Sequence, residues 1–323
     1  MYAVGLNSYG GPEVLQWLEL PDPQPAPGQV RIKVSAAGVN PVDVMLRDGL
    51  LAEWYAQAPK PYVPGMDIAG TIDALGGDLD PQLGLAVGQA VVGVVDNFGS
   101  YGGYSQYVCL PAASVLARPA GASFPAAASF LMNALTARNA LDTLALPPGA
   151  SVLVTGAAGA VGTYALALGA SEGLRMIALA SAADEAFLRA NGASDVVPRG
   201  DDAATRVRQA IADGVDAVVD AACLGRQVAP AVRDGGLIIT LRPGNIEGLA
   251  RGVQSVFVNV RTRVTDHAAI HRLGEQVSSG LLALRVAATF PATQAEEAHR
   301  LFDRGGLRGR VVLDFDAATS QGR

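Results

Sequence analysis

Twelve residues near the middle of the chain, Ser151-Val-Leu-Val-Thr-Gly-Ala-Ala-Gly-Ala-Val-Gly162, have the types and spacing to hold a pyrophosphate. A short apolar strand at 152–154 runs into Gly156, Gly159 and Gly162, and the pattern then predicts a helix through Tyr164–Ala170. Gly159 lets the backbone approach a pyrophosphate, and Gly162 lets helix and strand pack closely. The helix N-terminus adds N–H groups that have no partner within the helix. Ala157 stands where G-x-G-x-x-G has its first glycine, so the match is A-x-G-x-x-G with an added Gly156. A glycine triplet alone is weak, but here a strand precedes it and a helix follows, as the motif requires. Gly156, Ala157, Ala158, Gly159, Ala160, Val161 and Gly162 are therefore the candidate dinucleotide cradle. The alternative is a glycine-rich turn that holds nothing.

The next strand, Arg175–Ala180, ends at Ser181, where NAD-specific sites carry an acidic residue for the ribose diol. With no acid there, a 2′-phosphate meets no repulsion and the Ser181 hydroxyl can donate to it, which favours NADPH over NADH. Ser181-Ala-Ala-Asp184 also reads as a capping box, and both roles are compatible.

The elements that must position this loop can be read from the surrounding pattern. Gln29–Ala36 alternates with a period of two, as a half-buried strand does, and Asp67–Ala74 and Gln89–Val95 are further strands. Prolines at 21, 23, 25 and 27 make an extended entry to the first of these. From about Ser123 short β runs alternate with alanine-rich helical stretches, the pattern of a parallel α/β sheet. After Val260 a helix at Asp266–Ser279, a strand at Leu284–Phe290, a helix at Gln294–Asp303 and a strand at Gly309–Phe315 are expected. The fold class is thus α/β, with a nucleotide domain at 123–260 inserted between two parts, 1–122 and 261–323, of a β-rich domain.

Composition limits the function. Of 323 residues, 50% are hydrophobic and 17% charged, below the ~25% charged of an average chain, so large buried faces are expected. A net charge of −6 with scattered Lys and Arg argues against a nucleic-acid partner, which needs a basic stripe. The uncharged stretches 119–137 and 143–171 are broken by proline and glycine, so no membrane span is expected. Only Cys109 and Cys223 occur, which fits a reducing compartment and excludes a four-cysteine zinc lobe. A cytoplasmic location is expected. His267 and His271 share a helix face without the glutamate of HExxH between them, and are read as solvated surface residues.

Six segments together resemble the zinc-independent quinone oxidoreductase branch of the medium-chain dehydrogenase/reductase superfamily. They are Gly38-Val-Asn-Pro-Val-Asp43, Pro64-Gly-Met-Asp-Ile-Ala-Gly70, Gly102-Gly-Tyr-Ser-Gln-Tyr107, Leu135-Thr-Ala137, the glycine loop and Gly306-Leu-Arg-Gly-Arg-Val-Val-Leu313. The resemblance implies a GroES-like catalytic domain, a Rossmann domain, an active cleft between them, and a homodimer or homotetramer. Zinc-dependent relatives carry Cys where this chain has Asn40 and His-Glu where it has Met66-Asp67, and no Cys lies around Leu131–Asn133. A catalytic zinc needs three N, O or S protein ligands and an open position, so no metal is expected.

The resemblance also implies residue roles. Asn40 would lie beside nicotinamide and substrate, or be only a turn residue before Pro41. Asp43 matches a family acid near the cleft, or serves as a helix N-terminal acid stabilised by the dipole. Leu51 falls where a cleft tyrosine is usual. Tyr55 or Tyr62 could replace it, and Tyr55 is the candidate, although related reductases also take the proton from solvent. Thr136 matches a cofactor-contacting threonine. Asp184 occupies the approximate position of a phosphate-binding lysine and argues against NADPH, whereas Arg199 replaces a tyrosine and suits a phosphate. Cys223, Leu241, Phe257 and Val258 match loops that touch the nicotinamide.

Without a Lewis acid, hydride goes more readily to an acceptor that spreads the incoming charge, such as a quinone or an α,β-unsaturated carbonyl. The expectation is an NADPH-dependent reductase of a small quinone or enone. The alternatives are an enoyl reductase acting on a biosynthetic or carrier-linked intermediate, and a non-catalytic NADPH-binding sensor or RNA-binding protein.

Overall fold

A computed structural model describes residues 1–98 and 100–320. The chain forms two units, residues 1–132 with 264 onward, and residues 133–263. The first boundary lies ten residues beyond the expected 122/123, because the short helix at Phe124–Ala127 packs on strands of the first unit. The second lies three residues beyond 260/261, where Arg263 pairs with Asp142 inside the second unit.

The first unit opens with strands β1 (Tyr2–Gly5), β2 (Gln16–Glu19) and β3 (Gln29–Gly38), then helix α1 (Pro41–Arg47). Strands β4 (Asp67–Leu75), β5 (Ala90–Val94), β6 (Tyr107–Pro111) and β7 (Val115–Ala117) follow, then α2 (Phe124–Ala127). Helix α3 (Leu131–Leu144) leads into the second unit. There the order is β8 (Ser151–Thr155), α4 (Ala160–Ser171), β9 (Arg175–Ala180), α5 (Glu185–Ala190), β10 (Asp195–Pro198), α6 (Ala203–Ala210), β11 (Val215–Asp220), β12 (Val232–Thr240) and β13 (Gln254–Phe257). The chain returns to the first unit through α7 (His267–Ser278), β14 (Val286–Pro291), α8 (Ala295–Asp303), β15 (Arg310–Asp314) and α9 (Phe315–Ser320).

In the first unit the sheet runs β14-β15-β3-β4-β5-β7, with β6 also paired to β3. Along β3, Val30, Ile32 and Val34 face the core while Arg31 and Lys33 do not, which is the expected alternation. From Val34 to Gly38 the alternation stops and every residue is buried. The strand therefore delivers Asn40 into a covered place. The core beneath combines Val30, Ile32, Ile68, Val91 and Leu110 with Val311, Leu313 and Phe315 from the end of the chain.

The second unit is a parallel sheet in the order β10-β9-β8-β11-β12-β13. With β8 counted as first, this is 3-2-1-4-5-6, the doubly wound arrangement. All five residues of β8 are buried, so the strand reads as a continuous apolar run without alternation. Helix α4 is buried from Gly162 to Gly169, which its alanines and glycines allow by letting it lie close to the sheet. Among the described residues no helix is long and apolar enough to cross a membrane.

Candidate active site

In the second unit the strand order reverses between β8 and β11, and ligands of such sheets bind beyond the C-terminal ends of the strands at that reversal. The glycine loop lies there. Gly156 has φ +57°, a left-handed conformation that costs an L-residue about 1–2 kcal/mol. The tight turn thus falls on the added glycine, which is why Ala157 can replace the usual one. At Gly162 a Cβ would stand 2.5 Å from the Gly156 carbonyl oxygen and 2.7 Å from the Ala157 Cα, so only hydrogen fits. Gly159 is the N-cap of α4, and Ala160 and Val161 are its first helical residues. Ala157 and Ala158 are buried. The cradle that the residues suggested is therefore present as backbone, and it fits a pyrophosphate.

The loop after β11 is tied to this cradle by a residue the sequence reading passed over. Asp220 accepts from the Thr155 hydroxyl (2.6 Å), from the Leu224 N–H (3.0 Å) and from the Gly225 N–H (2.8 Å). Thr155 in turn accepts from the Ala222 N–H (2.9 Å). The signal was an acid at the end of the apolar run Ala217–Val219, buried where Asp216 on the same strand is not. Cys223, inside the tied loop, has φ +55° and a half-buried thiol whose pKa burial raises. Leu241 and Phe257 are half-buried, and Val258 and Thr136 are buried.

At the outer end of the crevice Ser181 caps a turn of 3-10 helix, its hydroxyl accepting from the Ala183 N–H at 3.4 Å. The Arg199 N–H donates to the Ala180 carbonyl (2.9 Å), so Arg199 leaves β10 beside Ser181, with its side chain exposed. Asp184 is half-buried and directly follows Ala183, whose N–H bonds the Ser181 hydroxyl.

In the first unit the end of β3 meets a buried polar group. The Asn40 Nδ2 donates to Asp67 Oδ2 (3.0 Å), and Asp67 Oδ1 accepts from the Met132 N–H in the first turn of α3 (2.7 Å). Asp43 accepts from the Asn40 N–H (2.8 Å) and from the Gly65 N–H (2.8 Å), bridging the turn after β3 to the loop before β4. Both acids are fully buried. Burial pushes Asp43 up to about 7, against the Asn40 and Gly65 N–H groups, and pushes Asp67 up to about 6, against the Met132 N–H and the Asn40 amide. Tyr55 lies apart from this group. It is buried, its hydroxyl donates to Asn97 Oδ1 (2.8 Å), and it lines a cavity of about 360 Å³ with Tyr62, Tyr101, Tyr107 and Cys109. Acting as a proton donor would cost Tyr55 its bond to Asn97.

Comparison with known proteins agrees with this geometry. The family described as alcohol dehydrogenase GroES-like domain matches residues 26–120, and the family described as zinc-binding dehydrogenase matches residues 191–313. The chain is 28% identical over 332 aligned positions to the quinone oxidoreductase of Pongo abelii, covering 97% of each chain. The chain belongs to the medium-chain dehydrogenase/reductase superfamily. Among solved members of the superfamily, an NAD-dependent alcohol dehydrogenase is 29% identical with a TM-score of 0.83, over 97% of this chain and 99% of that one. The CurK enoyl reductase is 25% identical with a TM-score of 0.84, over 97% and 98%.

The second matched family is named for binding zinc, and the side chains around Asn40 bear on whether this chain could hold that metal. Asn40 and Met66 offer an amide and a thioether, and both oxygens of Asp67 already accept hydrogen bonds. Such a set does not suit Zn²⁺, which takes thiolate, imidazole and carboxylate ligands. Among the described residues no three His, Cys, Asp or Glu side chains gather into a metal site. His271 is exposed beside Glu275, as expected, whereas the His267 ring is partly covered and lies 3.4 Å from the Ala113 carbonyl. The third histidine, His299, drew no notice in the sequence and is fully buried among polar groups.

Proposed function

We propose that the protein is a zinc-free NADPH-dependent reductase of quinones or α,β-unsaturated carbonyls. The observation that carries the reading is the glycine cradle at the reversal of a doubly wound sheet, in a chain whose buried acceptor-side group offers hydrogen bonds and no zinc ligands. A bound reduced nicotinamide supplies a hydride and its electron pair, and a proton from solvent completes the reduction. The backbone of Gly156–Gly162 holds the pyrophosphate. Ser181 and Arg199 receive the 2′-phosphate, and Thr136, Cys223, Leu241, Phe257 and Val258 line the cofactor. Asn40, oriented by Asp67, holds the acceptor oxygen, and Asp43 fixes the turn that carries Asn40. We assign no protein group as proton donor. The two free thiols, Cys109 and Cys223, suit the cytoplasm, and we expect two copies per assembly.

The deciding experiment follows NADPH and NADH oxidation by purified protein with a panel of quinones and enones, with and without a strong chelator. NADPH turnover at least ten times faster than NADH turnover, unchanged by chelator, supports the reading. Loss of activity on chelation sinks the zinc-free part, and a preference for NADH means that Asp184 governs the ribose corner. The likeness to an enoyl reductase favours a second reading, reduction of an enoyl thioester. Thioesters accepted over free enones would select it.

A further inference from the structure

A series of buried side chains runs from Arg47 on α1 through His299 on α8 and Tyr104 to Asp43. Arg47 Nη1 lies 3.0 Å from Asp303 Oδ2 and 3.3 Å from His299 Nδ1. His299 Nε2 lies 3.1 Å from the Tyr104 hydroxyl, which lies 3.5 Å from Asp43 Oδ2. Arg47, Tyr104, His299 and Asp43 are all almost wholly excluded from water.

The direction of the hydrogen bonds follows from donor chemistry. A guanidinium only donates, so His299 Nδ1 must accept from Arg47 and carry no proton. Burial and the neighbouring Arg47 charge hold the ring neutral, its pKa lowered to about 3. The single ring proton is therefore on Nε2, and it points at the Tyr104 oxygen. Tyr104 then has its own proton to give to Asp43, and burial beside Asp43 keeps that hydroxyl protonated. Every bond runs the same way, from Arg47 through His299 and Tyr104 to the carboxylate.

We propose that His299 and Tyr104 are positioning residues, a one-way hydrogen-bond relay that holds Asp43 as an acceptor and thereby fixes the turn carrying Asn40. This deepens the reductase reading and rests on it for the role of Asn40. Asp43 can bridge the Asn40 and Gly65 N–H groups only while both its oxygens accept. A proton on either oxygen makes it a poorer acceptor and so loosens one side of the bridge. The other charged groups around Asp43 are Asp67 on β4, which disfavours its ionisation, and Arg310 on β15, which favours it. Each strand thus supplies one opposing influence, and the relay from α8 adds a hydrogen bond to the charged form.

The test compares Tyr104→Phe, His299→Leu and His299→Gln with the wild type in two ways. Carbon-13 NMR of the aspartate carboxyls, with Asp43 assigned through Asp43→Asn, reads its titration in the absence of any acceptor. The pH profile of kcat/KM reads the same group during turnover. Tyr104→Phe and His299→Leu should raise the Asp43 midpoint by about one pH unit and move the acid limb of kcat/KM with it. His299→Gln, whose amide can donate to Tyr104 and accept from Arg47, should restore part of the shift. NADPH affinity should change less than twofold in all three. Folded Tyr104→Phe and His299→Leu proteins with an unmoved Asp43 titration would overturn the proposal. If those variants do not fold, nitrogen-15 NMR of the wild-type His299 ring decides. A neutral ring protonated on Nε2 at pH 6 supports the relay, and an Nδ1-protonated or charged ring refutes it. Because the carboxyl titration needs no acceptor, failure to find turnover would count against the reductase reading alone.

Discussion

Asp43 sits where burial and hydrogen bonding pull in opposite directions, and burial prevails. Its folded midpoint of about 7 lies above the unfolded value near 3.8. Between those values the native state holds a proton that the unfolded chain has released. Stability therefore falls as pH rises from about 4 to 7, by up to ~1.4 kcal/mol per pH unit from this group, and is flat above. The stability difference between wild type and Asp43→Asn isolates the effect. Measured by urea unfolding at several pH values, wild type minus variant should decrease from pH 4 to 7 and then level off. A difference that grows with pH would mean that Asp43 is ionised throughout in the folded protein. His299 acts oppositely, since its midpoint is lowered from 6.5 to about 3. Its contribution is lost as pH falls through that interval, because the unfolded chain then takes up a proton that the folded ring refuses.

At the scale of elements, the glycine loop shows how a strand and a helix share one narrow contact. Gly162→Ala places a methyl carbon against the Gly156 carbonyl oxygen and the Ala157 Cα, neither of which can swing aside as a flexible side chain would. Helix α4 must then move off β8. The expected cost is about 1–3 kcal/mol of stability by urea unfolding, with NADPH affinity reduced at least ~10-fold in a fluorescence titration. Undiminished affinity would show that the cradle does not hold the cofactor. This loop was legible in the sequence because its constraints are local, with glycines at fixed offsets between an apolar strand and a helix. The period-two pattern of β3 and the helical stretch that became α7 were legible for the same reason. The relay was not. Arg47, Tyr104 and His299 meet across 252 positions of sequence, as the Arg47–His299 pair shows, and no spacing rule joins them. A partial signal existed, since Ala295, Ala298, His299 and Phe302 form a helical stripe on α8 with a histidine in an otherwise apolar row. Tyr55 lies near the place where a cleft tyrosine is usual, but its hydroxyl is engaged with Asn97, a contact that only tertiary structure specifies.

For the whole molecule, two units mean that ligand effects should be unevenly distributed. On the proposed reading, NADPH binding to the second unit would stabilise it by RT ln(1 + [L]/Kd), about 2.7 kcal/mol at one hundred times Kd. Hydrogen exchange should slow in residues 151–162 and 220–225 on adding NADPH without acceptor, while β1 and β2 stay unchanged. Equal slowing throughout both units would contradict a cofactor site built from the second alone. The first unit differs from the second in being discontinuous in the chain. Its central strand β3 takes a neighbour, β15, from residues 310–314. During synthesis the 272 residues separating Gly38 from Arg310 take roughly 14–54 s to make at 5–20 residues per second. Over the last part of that interval, once Phe257 has been added, the second unit has all its strands, while the first still has an open edge on β3 and, until residue 299 is reached, no His299. A newly made chain can thus be ready to hold its cofactor before it can hold an acceptor, and the order of readiness follows from where the C-terminal strand is inserted.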